Sequence, residues 1–100
     1  MVNLYAYTKP KTGSEEITEL LANKKVVINR IVSNEVEDSG WYEQEEDEWF
    51  VLLEGEALLE IDDEVLTLKR GDTMFIPAFT LHRVKKTSAT ALWITVHIAT

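Results

Sequence analysis

Residues 71–82 read Gly71-Asp72-Thr73-Met74-Phe75-Ile76-Pro77-Ala78-Phe79-Thr80-Leu81-His82, GDTMFIPAFTLH. A Gly-Asp turn leads into the short apolar run Met74-Phe75-Ile76, Pro77 closes that run, and a lone histidine follows at a fixed offset. This is a short strand held between turns, with an isolated imidazole placed just beyond it. The same rhythm continues outward in both directions. Val26 to Val32 is β-branched and stops at Ser33-Asn34. Trp49 to Leu53, Ala57 to Ile61 and Val65 to Leu68 are short apolar runs parted by Glu54-Gly55 and by Asp62-Asp63-Glu64. On the other side, His82-Arg83-Val84 is followed by a strictly alternating segment. It carries Leu92, Ile94, Val96 and Ile98 on one face and Trp93, Thr95 and His97 on the other. About eight strands at nearly regular short intervals predict an all-β antiparallel sandwich or barrel.

One segment breaks the rhythm. In Ser14 to Leu21, Ser14 can cap a helix, acids fill the first turn, and Ile17, Leu20 and Leu21 share a helical face. The spacing predicts a short helix inside an N-terminal extension, residues 1–24, ahead of a β-barrel spanning residues 25–100. With 100 residues in all and no long linker or solenoid-length repeat, the chain reads as one domain.

Composition excludes several classes of function. With 45% apolar residues and few Gly and Pro, the chain is globular. Having no cysteine, it can form neither disulfides nor thiolate zinc sites, and it has no thiol nucleophile. A net charge of −8 spread along the chain repels phosphate backbones, so nucleic acid is not an expected partner. Lys24-Lys25 and Lys85-Lys86 are too short to form basic patches and read as solvated surface. No apolar run approaches the roughly 20 residues of a membrane helix, and no secretory signal pattern precedes the strands. A cytoplasmic protein without membrane contact is the expectation.

Two spaced patterns resemble the cupin superfamily. In one, an acid stands ahead of a strand-end glycine, here Glu48 and Gly55. In the other, a glycine, a proline, a small residue and a histidine recur at set offsets, here Gly71, Pro77, Phe79 and His82. The run from Trp41 to Trp49 also resembles a group of small, stand-alone cupins. The resemblance covers roughly residues 40–98 and implies a double-stranded β-helix, the jelly-roll barrel of that superfamily, with an interior site. Such cupins usually place two histidines before the acid, and these join the acid and the later histidine on a metal. Here the two permitted spacings fall on Tyr42 and Gln44 or on Trp41 and Glu43, none of them histidine. Phe79 stands where glycine is preferred, and Lys86 where asparagine is common.

The candidate site follows from these positions. Glu48 and His82 aimed at one interior point supply a carboxylate and an imidazole, the pair named here as catalytic. Unbroken alternation adds Gln44 to that face, whereas a loop or bulge brings Glu43 instead. With either, the set suits manganese, iron(II), nickel or zinc with weak selectivity. A bound metal with open positions would polarise a substrate or activate water. Without metal, the Glu48–His82 pair exchanges protons near neutrality or anchors a small polar ligand. Tyr42, Phe50, Phe79, Trp93 and His97 are the expected pocket residues. Glu45, Glu46 and Asp47 read as a solvated loop, because burying so many neighbouring carboxylates costs too much.

Three functions remain open at this stage. One is a metal-dependent enzyme acting on a small oxygenated metabolite such as a sugar or carboxylic acid. The second is a non-catalytic or sensing module that binds a small molecule without metal. The third is a filled barrel acting through its surface. The edges of a short-stranded sandwich also lead us to expect a homodimer.

Overall fold

A computed structural model describes residues 1–100. It is all-β, with eight strands: β1 (Ser14–Asn23), β2 (Val26–Asn34), β3 (Asp47–Glu54), β4 (Glu56–Ile61), β5 (Glu64–Lys69), β6 (Thr73–Ile76), β7 (His82–Thr87) and β8 (Ala91–Ile98). They form a five-stranded sheet in the order β1-β2-β8-β3-β6 and a three-stranded sheet in the order β5-β4-β7. All pairings are antiparallel. No helix long and apolar enough to cross a membrane is present.

The helix expected at Ser14–Leu21 is instead β1, paired with β2 from Ser14↔Asn34 to Asn23↔Val26. The pairing slips between Glu19 and Leu21, so Leu20 is an extra residue in the ladder. A bulge of this kind brings two apolar residues together and interrupts the period of two. Ile17, Leu20 and Leu21 thereby acquire a helix-like spacing in a segment that is extended.

Turn chemistry guides the chain between sheets. Asp62 and Asp63, both at positive φ (50° and 62°), join β4 to β5 in the mirror-image turn whose twist suits a two-residue hairpin. Gly55, at φ 86°, carries the chain from β3 in the larger sheet to β4 in the smaller. A Cβ at this glycine would collide with the Thr90 carbonyl oxygen and lie 2.6 Å from Ser88 Oγ, so both conformation and space demand glycine.

The core lies where the two sheets overlap. Phe50, Leu52, Ile76, Ala91 and Trp93 from the larger sheet meet Ala57, Leu59, Ile61 and Leu68 from the smaller. Five strands cannot be covered by three. β1 and β2 extend beyond the smaller sheet, and on the inner face beside them the core opens into a cavity lined in part by Ile17, Asn29 and Ile31.

The opposite face of β2 is sealed by the N-terminal segment. Buried Arg30 donates from Nη1 to the carbonyls of Asn3, Leu4 and Ala6 at 3.3–3.4 Å. Tyr7 Oη donates to Glu54 Oε2 at 3.0 Å.

Candidate functional site

Strand alternation determines which side chains reach the cavity. On β8, Trp93, Thr95 and His97 face inward together, as the strict alternation requires. On β3 the inward set is Glu48, Phe50 and Leu52, with Leu52 in the core and the first two on the cavity wall. On β7, His82 and Val84 share that face. Ser33, Leu59 and Ile76 add to the lining, and the enclosed volume is about 300 Å³.

The loop before β3 brings two further groups. Tyr42 is held by paired backbone hydrogen bonds with His82, of 2.7 and 3.0 Å, and the two rings lie 5.7 Å apart. Gln44 accepts at its carbonyl from Phe79 N–H at 2.8 Å, and its side-chain Nε2 donates to Glu48 Oε1 at 2.7 Å. Arg83 clamps the start of this loop, bonding Asp38 at 3.0 Å and Glu60 at 2.8 Å and stacking 4.5 Å from the Trp41 ring centre. The Glu60 hydrogen bond and both carboxylates push the Arg83 guanidinium up from its ordinary value, against a smaller opposing effect of desolvation.

His82 is buried, and its Nδ1 lies 2.9 Å from the Thr80 carbonyl oxygen. A carbonyl can only accept, so Nδ1 carries a proton there, and Nε2 is the ring nitrogen left without a protein partner. His97 Nδ1 lies 4.0 Å from Glu48 Oε1 and 3.4 Å from Glu46 Oε1, yet its geometry satisfies no hydrogen bond. Thr95 Oγ1 is likewise buried without a partner. Trp93 Nε1, in contrast, donates to Ser33 Oγ at 3.2 Å. The cavity lining therefore holds a carboxylate, an imidazole and a hydroxyl from the larger sheet and a second imidazole from the smaller, with hydrogen-bonding capacity that the fold leaves unused. Buried polar groups are rarely left so.

The expected residues fall into two groups. Tyr42, Gln44, Glu48, Phe50, His82, Trp93 and His97 all line the cavity. Glu43 and Phe79 do not. Glu43 is exposed: a loop does precede β3, which begins only at Asp47, yet the bonds of Gln44 to Phe79 N–H and to Glu48 turn Gln44 inward in its place. Phe79 sits at φ 62°, which turns its ring outward to 66% exposure, and only its backbone reaches the site through Gln44. Sequence reasoning missed Thr95, Asn29 and Ser33 on the lining. The alternation of β8 placed Thr95 beside Trp93 and His97, and that signal was enough to find it.

The model for the cupin domain matches residues 32–97, two thirds of the sequence. The chain belongs to the cupin family. Among solved structures, this cupin is similar to a candidate mannose-6-phosphate isomerase from Ralstonia eutropha. The two share 29% identity and superpose with a TM-score of 0.89 over 100% of this chain and 98% of the other. A cupin superfamily protein from Desulfitobacterium hafniense shares 18% identity at TM-score 0.83, covering 93% of this cupin and 84% of that chain. A predicted oxalate decarboxylase from Thermotoga maritima shares 19% at TM-score 0.76, covering 86% and 81%. The latter two likenesses speak to fold alone. No curated protein matches the sequence.

The metal that cupin resemblance implies finds a poor donor set here. No three His, Asp or Glu side chains converge on one point. Gln44 turns its Nε2, a donor, toward Glu48 Oε1 at 2.7 Å and so offers no oxygen to a cation beside that carboxylate. Glu48 and His82 with a neutral amide, arranged in this way, do not fit a resident divalent ion.

Proposed function

We propose that this cupin binds a small oxygenated metabolite in the cavity between its sheets without a resident metal, and that Glu48 and His82 are its proton-exchanging contacts. The observation that carries this reading is that Glu48, Thr95 and His97 from the larger sheet and His82 from the smaller line one cavity of about 300 Å³, with the polar capacity described above unspent. The volume suits a small metabolite, and the apolar remainder, including Phe50 and Trp93, matches the usual lining of such sites. In the bound state His82 Nε2 accepts a hydrogen bond or a proton, Glu48 is its acidic counterpart, and Gln44 keeps the carboxylate oriented.

The name of the Ralstonia eutropha relative favours a second reading, an isomerase moving a proton between adjacent carbons. That chemistry uses the same two residues, Glu48 and His82, to take up and return the proton, and is carried over without the phosphate in the relative's name.

The test is a metabolite panel screened by thermal shift and calorimetry on chelator-treated protein, repeated on Glu48→Gln and His82→Ala. A ligand that stabilises the wild type should lose about ten-fold or more in affinity in each variant, the scale of one charge-assisted hydrogen bond. Folding should be retained in both. Binding that needs added manganese, iron(II), nickel or zinc would sink the metal-free reading, and binding unchanged in both variants would move the site elsewhere.

A further inference from the structure

The charge of the cavity narrows what can occupy it. Its lining contains two carboxylates, Glu15 and Glu48, and two histidines, but no lysine or arginine. The nearby cations are committed elsewhere. Arg30 points to the opposite face of the sheet and is bound by the N-terminal carbonyls. Arg83 is engaged by Asp38 and Glu60, and Lys85 lies 4.0 Å from Glu60. Lys25 is not part of the lining, but it borders an adjoining groove that shares Asn29 and His97 with the cavity.

We propose that the oxygenated metabolite this cavity takes is a small organic cation, carrying a protonated amine on a partly apolar body, and that the cavity discriminates against phosphorylated or carboxylated molecules. The inference rests on the cavity being the ligand site and names the class of ligand it prefers. Glu48 is the decisive residue. Its side chain is 12% exposed, and one of its oxygens has no protein partner, since Gln44 takes only Oε1. A carboxylate largely removed from water and incompletely paired is a strong acceptor for an ammonium group. Tyr42, Phe50 and Trp93 surround the same space, and aromatic faces attract organic cations. An anion would meet these carboxylates with no guanidinium or ammonium to offset its desolvation. The whole-chain charge of −8 acts in the same direction at longer range.

Benzylamine, benzyl alcohol and benzyl phosphate share one ring and differ in charge, so they test the inference directly. Calorimetry on chelator-treated protein at neutral pH and low salt should show benzylamine binding about ten-fold or more tighter than either partner. Glu48→Gln should abolish the preference, because the amide keeps the shape and can still accept from Gln44. Glu43→Gln, which removes one charge outside the cavity, should leave it intact. Benzyl phosphate binding as tightly as benzylamine would overturn the inference, as would an amine preference lost equally in both variants. Absence of binding by all three probes overturns it too. The binding reading above then stands or falls separately, on whether the metabolite panel yields a ligand sensitive to Glu48→Gln and His82→Ala.

Discussion

At the scale of single residues, two positions show what the fold leaves free for function and what it fixes. Thr95 Oγ1 is buried on the cavity-facing strand without a hydrogen-bond partner, a state that costs roughly 1–3 kcal/mol. Thr95→Val keeps the shape and removes that cost, so the free protein should gain about 1 kcal/mol in urea unfolding. The same variant should bind any metabolite found in the panel more weakly. A Thr95→Val protein no more stable than wild type would mean that the hydroxyl is satisfied, and its role as a waiting ligand contact would go with it. Gly55 is the opposite case, where the fold allows no alternative. Ala at this position combines a left-handed backbone with a collision against the Thr90 carbonyl, in the one-residue passage between the sheets. Gly55→Ala should cost about 2 kcal/mol or more and lower the urea midpoint accordingly. A loss below a few tenths would show that the crossing can shift without penalty.

At the scale of elements, legibility in the sequence depended on whether local pattern and tertiary role agreed. The segment from Leu92 to Ile98 alternates without interruption, so its inward face of Trp93, Thr95 and His97 could be read directly. The stretch Ser14–Asn23 could not, because its bulge at Leu20 hides the period of two and its acids at Glu15 and Glu16 imitate a helix start. Its strand state is set by the ladder with β2, a partner that no local pattern reveals. The choice between Glu43 and Gln44 was likewise hidden, because Gln44 is turned inward from a loop by its bonds to Phe79 and Glu48 and not by strand alternation. The N-terminal segment yields a prediction at this scale. Burial, followed by the hydrogen bond and negative charge of Glu54, pushes the Tyr7 hydroxyl above its ordinary value of 10.0, with Arg30 opposing more weakly. A folded pKa above the unfolded one means that this contribution is fully present below pH 10 and is lost as pH rises through the folded value. Alkaline titration should therefore free the arm from Glu54 of β3 above pH 10, read as faster amide exchange at Ala6, and Tyr7→Phe should remove that step. An arm that exchanges identically in both proteins would show that Arg30 alone holds it.

At the scale of the whole molecule, the site is a consequence of unequal sheets. Three strands cover the β8, β3 and β6 side of five, the core fills the overlap, and the uncovered inner face beside β1 and β2 becomes the cavity mouth. Only 18 of 100 residues are buried, so the net stability of the domain rests on a small core and should be modest. A ligand filling the cavity acts on the folded state alone, since the unfolded chain has no cavity. At a hundredfold excess over Kd it adds about 2.7 kcal/mol. For a domain of this size, each kcal/mol moves Tm by about 4–8 °C, so saturation should raise Tm by roughly 10–20 °C. The shift should keep growing with the logarithm of ligand concentration. A metabolite that binds in calorimetry but leaves Tm flat across that range would have comparable affinity for the unfolded chain. Its binding would then owe nothing to the geometry of Glu48, His82 and Trp93, and the cavity would lose its claim to be the site.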